Sequence, residues 1–257
     1  MTNLHFYKYQ GTGNDFILID GRREIPKLSQ NDIAQACHRR FGVGADGLII
    51  LAKEAGYDFR MIYYNSDGRE STMCGNGGRC IAQFAHDLGM GSNFNFIAID
   101  GPHQAVVEKE QVSLQMIDVA DIEAIDSDWF TDTGSPHHVV LHDDVEGLRI
   151  VEEARAIRYN NHYKEEGVNV NFIKGEGQHW QMRTYERGVE DETYSCGTGV
   201  TAAALVAHHA GKVEQSPVYM KTKGGNLELH FKHSPEKGYY DIWLKGPAKK
   251  VFEGQLQ

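Results

Sequence analysis

Cys74-Gly75-Asn76-Gly77-Gly78-Arg79-Cys80 runs directly into IAQFAHDLG, and Cys196-Gly197-Thr198-Gly199-Val200-Thr201 runs into AAALVAHHAG. Each is a cysteine, a glycine-rich turn and an Ala-rich apolar segment with helical spacing, so each reads as a thiol at a helix N-terminus. The first N–H groups of a helix lack intrahelical partners and carry the positive end of the macrodipole. Such a place binds carboxylates and stabilises a thiolate, lowering a cysteine below its free pKa of about 8.5. Glycine at 75, 77, 197 and 199 removes the Cβ atoms that would hold a ligand away from those groups. One such cysteine reads as inert filler. Two in the same context read as a pair that grips one small carboxylic acid from opposite sides.

Cys196 follows Cys74 by 122 positions (196 − 74), close to half of the 257 residues. That offset predicts a duplicated α+β unit: two pseudo-symmetric lobes, each a mainly antiparallel sheet wrapped around a central helix, with the helix N-termini meeting at a cleft, a favoured place for a small-molecule site. The lobes are expected at 1–118 and 119–249, with a tail of about 250–257 returning to the first. The acidic, aperiodic stretch 119–132 reads as the linker.

Working outward, residues 4–20 read as strand, glycine turn and strand, with Asn14 and Asp15 at the turn exit. Gly11-Thr12-Gly13-Asn14-Asp15 is either a plain hairpin turn or part of a site; it lacks the third glycine of a dinucleotide fingerprint. Ser29 caps a predicted helix over SQNDIAQACHRRFG that stops at Gly42, with Cys37 in the core. Strands are expected at LIILA and YDFRMIYYN, the latter ending in the turn Asn65-Ser66-Asp67-Gly68. The first cysteine helix is expected over about 75–88, with Cys80 pointing away from its mouth as a buried small hydrophobe. In the second half a helix is expected near VEGLRIVEEARAI and a strand at HWQMRTYERG, then the second cysteine helix and a strand-rich tail.

A formal net charge of −10 without a sizeable cluster of Lys and Arg argues against nucleic acid as a partner. The start, MTNLHFYKYQGTGNDF, has no signal pattern, and no apolar run approaches the roughly 18 residues of a membrane span, so neither secretion nor a membrane is expected and the location reads as cytoplasmic. In that compartment the four cysteines are expected as thiols. Their spacing does not fit zinc and no cofactor motif is present, so neither metal nor cofactor is expected.

Two thiols flanking one carbon suit proton removal next to a carboxylate: one withdraws the proton, the other returns one to the opposite face, and the centre inverts. His137 and Glu186 are the natural tuners of the thiols. The plainer alternatives are that His137 caps a turn and that Glu186 pairs with Arg187 on a solvated strand end. A different class stays open as well, a redox-responsive binding protein in which Cys74 and Cys196 form a reversible disulfide.

The ordered set Gly11-Thr12-Gly13-Asn14-Asp15-Phe16, Gly44-Ala45-Asp46-Gly47, Tyr64-Asn65-Ser66-Asp67-Gly68, Met73-Cys74-Gly75-Asn76-Gly77, Pro136-His137, Val168-Asn169-Val170, Glu186-Arg187-Gly188 and Cys196-Gly197-Thr198-Gly199 closely resembles diaminopimelate epimerase. The resemblance runs from about residue 6 to residue 205 and less distinctly beyond. It implies a cofactor-independent two-base epimerisation of LL- to meso-2,6-diaminopimelate, in lysine and peptidoglycan precursor synthesis. Carried over by position, Cys74 and Cys196 are the acid/base pair, and Gly75, Asn76, Gly197 and Thr198 bind the reacting carboxylate. Asn14, Asn65, Asn169, Glu186 and Arg187 hold the substrate, and His137 and Glu186 tune the thiols. The chain departs from the family pattern at Ser135, where members often carry Asn, at Gly47, where some carry Gln, and at 190–193, which is one residue longer. Racemases of the same fold acting on histidine, proline or hydroxyproline are the alternative; Glu186 and Arg187 favour a substrate with a second charged end. The oligomeric state is open between monomer and homodimer.

Overall fold

A computed structural model of the chain describes residues 4–256. The chain divides into two compact units, Met1–Leu114 with Gly246–Gln257, and Gln115–Lys245.

In the first unit, β1 (Leu4–Gly11) and β2 (Asn14–Asp20) form an antiparallel hairpin, with Thr12 and Gly13 in its turn at φ 49° and 85°. Two left-handed residues make the turn whose twist matches that of the flanking strands. Helix α1 (Gln30–Cys37) starts where its cap predicts: the Ser29 hydroxyl accepts from the Asp32 N–H while the Asp32 carboxylate accepts from the Ser29 N–H. It ends at Cys37, before the expected stop. Gly42 instead lets the following loop fold back on the helix, since a Cβ there would lie 2.1 Å from the Gln35 carbonyl oxygen.

Strand β3 (Gly47–Ala52) runs parallel to β2 and is buried along its whole length, as a continuous apolar run should be. Strand β4 (Phe59–Asn65) pairs antiparallel with β3. Helix α2 (Gly75–Asp87) follows and is buried from Gly75 through Ala85. A helix buried on every face needs apolar neighbours all round, which β1, β2, β3 and β6 provide. The crossover delivers β5 (Asn93–Ala98) parallel to β4, and the meander β6 (Gly101–Glu108) and β7 (Gln111–Gln115) completes the sheet.

The second unit opens with the hairpin β8 (Glu123–Ile125) and β9 (Asp128–Asp132), the latter antiparallel to β10 (Pro136–Leu141). The stretch expected to be a linker is therefore folded into a sheet. Its strands are short and partly exposed, so they carry charge and show no clear period. Helix α3 (Ile150–Arg158) crosses to β11 (Asn169–Glu176), parallel to β10; it starts later than expected because 145–149 form a loop. Strand β12 (His179–Glu186) pairs antiparallel with β11, and β13 (Asp191–Thr193) turns back on β12. Helix α4 (Gly197–His209) crosses to β14 (Val218–Thr222), parallel to β12, and β15 (Gly225–Ser234) and β16 (Gly238–Pro247) complete the meander. Finally β17 (Lys249–Leu256) pairs antiparallel with β1.

Each unit thus runs through the same sequence of pairings, with one parallel crossover over a small helix and a second over the cysteine helix. The first residues of β2, β3 and α2 (Asn14, Gly47, Gly75) and of β10, β11 and α4 (Pro136, Asn169, Gly197) stand 122 positions apart in all three cases. The fold is α+β with two pseudo-symmetric, mainly antiparallel units, each wrapped around one helix. Among the described residues no helix is long and apolar enough to cross a membrane.

Candidate active site

Both cysteines occupy the N-cap seat of a central helix. Cys74 has extended backbone (φ −96°, ψ 133°) before Gly75, and Cys196 likewise (φ −122°, ψ 117°) before Gly197. In neither helix does the cap side chain accept from the first turn, and neither first turn contains an acid. The oxygen that normally satisfies a helix N-terminus is replaced by sulfur in both places, which leaves the terminus suited to an external anion.

In the first unit Cys74 is half-buried and its Sγ lies 3.7 Å from Asn14 Oδ1. The same oxygen accepts from Asn76 Nδ2 at 3.2 Å. The orientation of Asn14 is set from behind, because its Nδ2 donates to Asp46 Oδ2. Asp46 also accepts from the Asp15 N–H at 3.2 Å and from Arg39 at 2.6 Å. Asp15 is itself held by Lys8 and Arg39, each at 2.7 Å. Against the opposing effect of burial, Arg39 and Lys8 keep the Asp15 carboxyl down at about 2. Asn65 stands exposed at the end of β4, level with Gly47, and among the described residues its side chain is not joined to this network. A Cβ at Gly47 would lie 2.6 Å from both the Tyr63 ring and the Tyr64 carbonyl oxygen, so this strand has no room for a longer side chain there.

In the second unit Cys196 Sγ lies 3.3 Å from Thr198 Oγ1, which lies 2.9 Å from His137 Nε2. His137 Nδ1 faces Asn171 Nδ2 at 3.0 Å. Asn171 Nδ2 also reaches the His138 carbonyl at 3.4 Å, and its Oδ1 accepts from Thr184 at 3.0 Å, which identifies the nitrogen end of the amide. His137 Nδ1 is therefore an acceptor, and the proton of the neutral ring sits on Nε2 and is donated to Thr198. Burial, with the charge of Arg187 added, pushes the His137 pKa down to about 3, so the ring is neutral at working pH. With its oxygen already accepting from His137, the Thr198 hydroxyl has its proton available for the Cys196 sulfur. His137 thus reaches the thiol through Thr198, as a fixed donor.

Asn169 is buried, and its amide holds three strand ends together: Nδ2 donates to Ser135 Oγ at 2.8 Å and to the Pro136 carbonyl at 3.0 Å, while Oδ1 accepts from the Arg187 N–H at 2.8 Å. Ser135, one of the departures from the family pattern, supplies here one of the two acceptors of the Asn169 amide. The Arg187 guanidinium donates to the Glu166 carbonyl at 3.0 Å, and Glu186 is half-buried at the end of β12. Cys37 and Cys80 are core residues, their thiols pushed up to about 11 and 12 by burial. Among the described residues no group of three or more His, Cys, Asp or Glu is placed to hold a metal ion.

The sequence profile described as diaminopimelate epimerase matches residues 6–119 and 129–251. The chain belongs to the diaminopimelate epimerase family. It is 48% identical to the diaminopimelate epimerase of Flavobacterium psychrophilum, over 97% of this chain and 99% of that one. The Chlorobaculum tepidum diaminopimelate epimerase is 41% identical, over 96% and 98% of the two chains. Among solved structures, a Bacillus anthracis phenazine biosynthesis protein of the PhzF family superimposes with TM-score 0.76 at 13% identity, covering all of both chains. A hydroxyproline epimerase from Agrobacterium vitis gives 0.69 at 15% identity, covering 99% of this chain and 92% of that one. At such identities these two share the fold of the epimerase family. Reading the sequence singled out neither Asn171 nor Arg79. Their signal is a polar side chain on an otherwise buried element: Asn171 follows Asn169 on the same face of β11, and Arg79 interrupts an apolar helix.

Proposed function

We propose that the protein inverts LL-2,6-diaminopimelate to the meso isomer without a cofactor, using Cys74 and Cys196 as paired acid/base thiols. The observation that carries this reading is the presence, in a chain of this family, of a cysteine in the cap seat of both central helices, where the cap side chain makes no hydrogen bond to the first turn.

In the forward direction the thiolate of one cysteine removes the α-proton: the C–H bond breaks, the proton passes to sulfur, and the electron pair delocalises into the α-carboxylate. First-turn N–H groups of Gly75, Asn76, Gly197 and Thr198 are assigned to that carboxylate, where they offset the developing charge. The S–H of the other cysteine then delivers its proton to the opposite face. Each turnover leaves the thiol and thiolate exchanged, and proton exchange with solvent after product release resets them for the next. The scheme requires both sulfurs to reach the same carbon in the reacting complex. His137 contributes through Thr198, whose hydroxyl donates to the Cys196 thiolate, and Asp46 contributes by orienting Asn14. Asn14, Asn65, Asn169, Glu186 and Arg187 are assigned to holding the substrate, with Arg187 suited to the distal carboxylate. A small diamino dicarboxylic acid is the partner, the chain acts as a monomer or homodimer, and a reducing cytoplasm is the setting because an acid/base thiol must stay reduced.

Incubating reduced protein with LL-diaminopimelate in deuterated water tests the assignment. Deuterium is expected at one α-carbon together with the meso isomer. Exchange on a monocarboxylic amino acid with none on diaminopimelate would overturn it. Cys74→Ala and Cys196→Ala are each expected to abolish inversion with the fold intact.

A further inference from the structure

We propose that Arg79 is a positioning residue for the epimerisation, a buried cation beneath the N-terminus of α2 that favours the thiolate of Cys74. The inference rests on the two-thiol reading above and adds a residue to it.

Arg79 is fully buried, the largest side chain among the described residues of which this is true. Its guanidinium donates only to neutral acceptors: Thr12 Oγ1 at 3.1 Å, Asn76 Oδ1 at 2.8 Å and the Gly75 carbonyl at 3.3 Å. Its Nε has no hydrogen-bond partner, and among the described residues no carboxylate forms an ion pair with it. A charge placed in the interior with neither full solvation nor a counter-ion is costly unless another group answers it. The anions available are sulfur. Burial lowers the Arg79 pKa, and the opposing influences are the charges of Cys80 and Cys74. Cys80 is held protonated by burial, its pKa at about 12, so Cys74 is the thiol left to carry charge.

Arg79 lies five residues beyond Cys74, and helix side chains lean back toward the N-terminus, which brings the guanidinium beneath the first turn. There it also fixes Asn76. With Asn76 Oδ1 bound to Arg79, Nδ2 faces Asn14 Oδ1 at 3.2 Å, the oxygen that lies 3.7 Å from Cys74 Sγ. That oxygen accepts from the thiol form and the guanidinium attracts the thiolate form. A full charge in a water-poor interior outweighs a single sulfur contact of that length.

The remaining charged and titratable groups on the elements around α2 are paired with one another or face solvent. From β1, Lys8 pairs with Asp15 of β2 at 2.7 Å, and Tyr9 donates to Asp87 at the far end of α2 at 2.6 Å. Tyr7 of β1 lies against Phe84 and Lys250, while His5 approaches Glu253 of β17 at 3.8 Å. From β6, His103 approaches Asp100 at 3.4 Å, and Glu108 is exposed. From β17, Lys249 pairs with Glu110 and Lys250 with Glu253, at 2.7 and 2.6 Å. Strand β3 has no ionisable side chain.

The duplication supplies its own control. The position 122 residues beyond Arg79 is Thr201, buried, with its hydroxyl donating to the Gly197 carbonyl at 3.1 Å. Arg79 makes the same backward bond to Gly75, so the second unit keeps the bond and lacks the charge.

Arg79→Thr therefore removes the cation while supplying a side chain that the fold already accepts at the matching place. The test is the pH dependence of iodoacetamide alkylation at Cys74, read by peptide mass mapping in a Cys196→Ala background. Arg79→Thr is expected to move the midpoint upward by about 1–2 units and to slow alkylation at pH 7 about tenfold or more. Arg79→Lys is expected to restore most of the shift, and in the intact enzyme Arg79→Thr is expected to lower kcat more than it raises KM. An unmoved alkylation midpoint in a folded Arg79→Thr variant would overturn the proposal. If that variant does not fold, Arg79→Gln, which keeps donors without charge, decides on the same readout. Because alkylation needs no substrate, its outcome is separate from whether diaminopimelate is turned over.

Discussion

His137 makes the stability of the second unit sensitive to mild acid, beginning above the range where the carboxylates take up protons. The ring is fully buried with a folded pKa of about 3, pushed down by burial first and by Arg187 second, against 6.5 for the unfolded chain. Below pH 6.5 the unfolded state binds a proton that the folded state refuses, so the stability present above that value is lost as pH falls toward 3. From the linkage relation the loss between pH 6.5 and pH 4.5 is about 2 kcal/mol. His138 and His208 are also lowered, chiefly by burial, so the total acid effect is larger than the His137 share. Asp15 and the other depressed carboxylates, Glu190 and Glu192 among them, add theirs from about pH 5 downward, so the comparison with a variant is needed to separate the His137 share. His137→Gln isolates the share, since its amide can still donate to Thr198 and does not titrate. All three tryptophans, Trp129, Trp180 and Trp243, lie in the second unit, so their fluorescence in urea titrations follows the unit that contains His137. The expected result is a wild-type urea midpoint that falls more steeply than that of His137→Gln between pH 6.5 and 4.5, by an amount equivalent to about 2 kcal/mol. Parallel curves for the two proteins would refute the reasoning, because they would mean that the ring takes up a proton in place.

Two further outcomes follow from the same contacts. Gly199→Ala would place a Cβ 2.6 Å from Asn171 Oδ1 and 3.2 Å from Cys196 Cβ. It is expected to destabilise the protein by about 1–3 kcal/mol and to reduce kcat, as read by urea unfolding and epimerase assay; a fully active variant would mean that Asn171 need not stay where it orients His137. Thr198→Val removes the hydroxyl between His137 and Cys196 and is expected to slow Cys196 alkylation at neutral pH, whereas Thr198→Ser keeps it; equal rates in the two variants would disconnect His137 from the thiol.

The legible parts of the sequence were those where local chemistry and tertiary role agree. Glycine turns before Ala-rich segments announced α2 and α4, and Ser29 with Asp32 announced α1. The 122-residue offset announced two equivalent units. Errors arose where one residue type serves two ends. Gly42 resembles a helix stop, yet its lack of a Cβ serves the fold-back onto Gln35 and Ala36. The acidic stretch resembles a linker because β8 and β9 have three and five residues and are mostly half-buried or exposed. Hydrogen-bond networks were the least legible part. Nothing in the local pattern says that Asp46 would orient Asn14, or that the chain from Asn171 through His137 and Thr198 would end at Cys196. Those residues are 25 or more positions apart across several of these links and meet only through the parallel pairing of β10 with β11 and the packing of α4 on both.

What the duplication retains and what it varies separate two demands on the chain. Backbone features recur at matched positions: two parallel crossovers in each unit, a cysteine in the cap seat, and a glycine-bearing first turn without an acid. These set where a thiol and an anion can be held, and a change in either copy would displace the sulfur or the first-turn N–H groups. Side chains behind the thiols diverge. Asn76 is matched by Thr198, Arg79 by Thr201 and Asp15 by His137, so the first unit surrounds its cysteine helix with ion pairs and a buried cation while the second uses neutral donors. A two-base inversion needs one sulfur ionised and the other protonated at the start of each turnover, and two identical environments would give two thiols of equal affinity for the proton. On the proposed two-thiol scheme, divergence of the side chains behind the cysteines would break that degeneracy without moving either sulfur from its helix terminus.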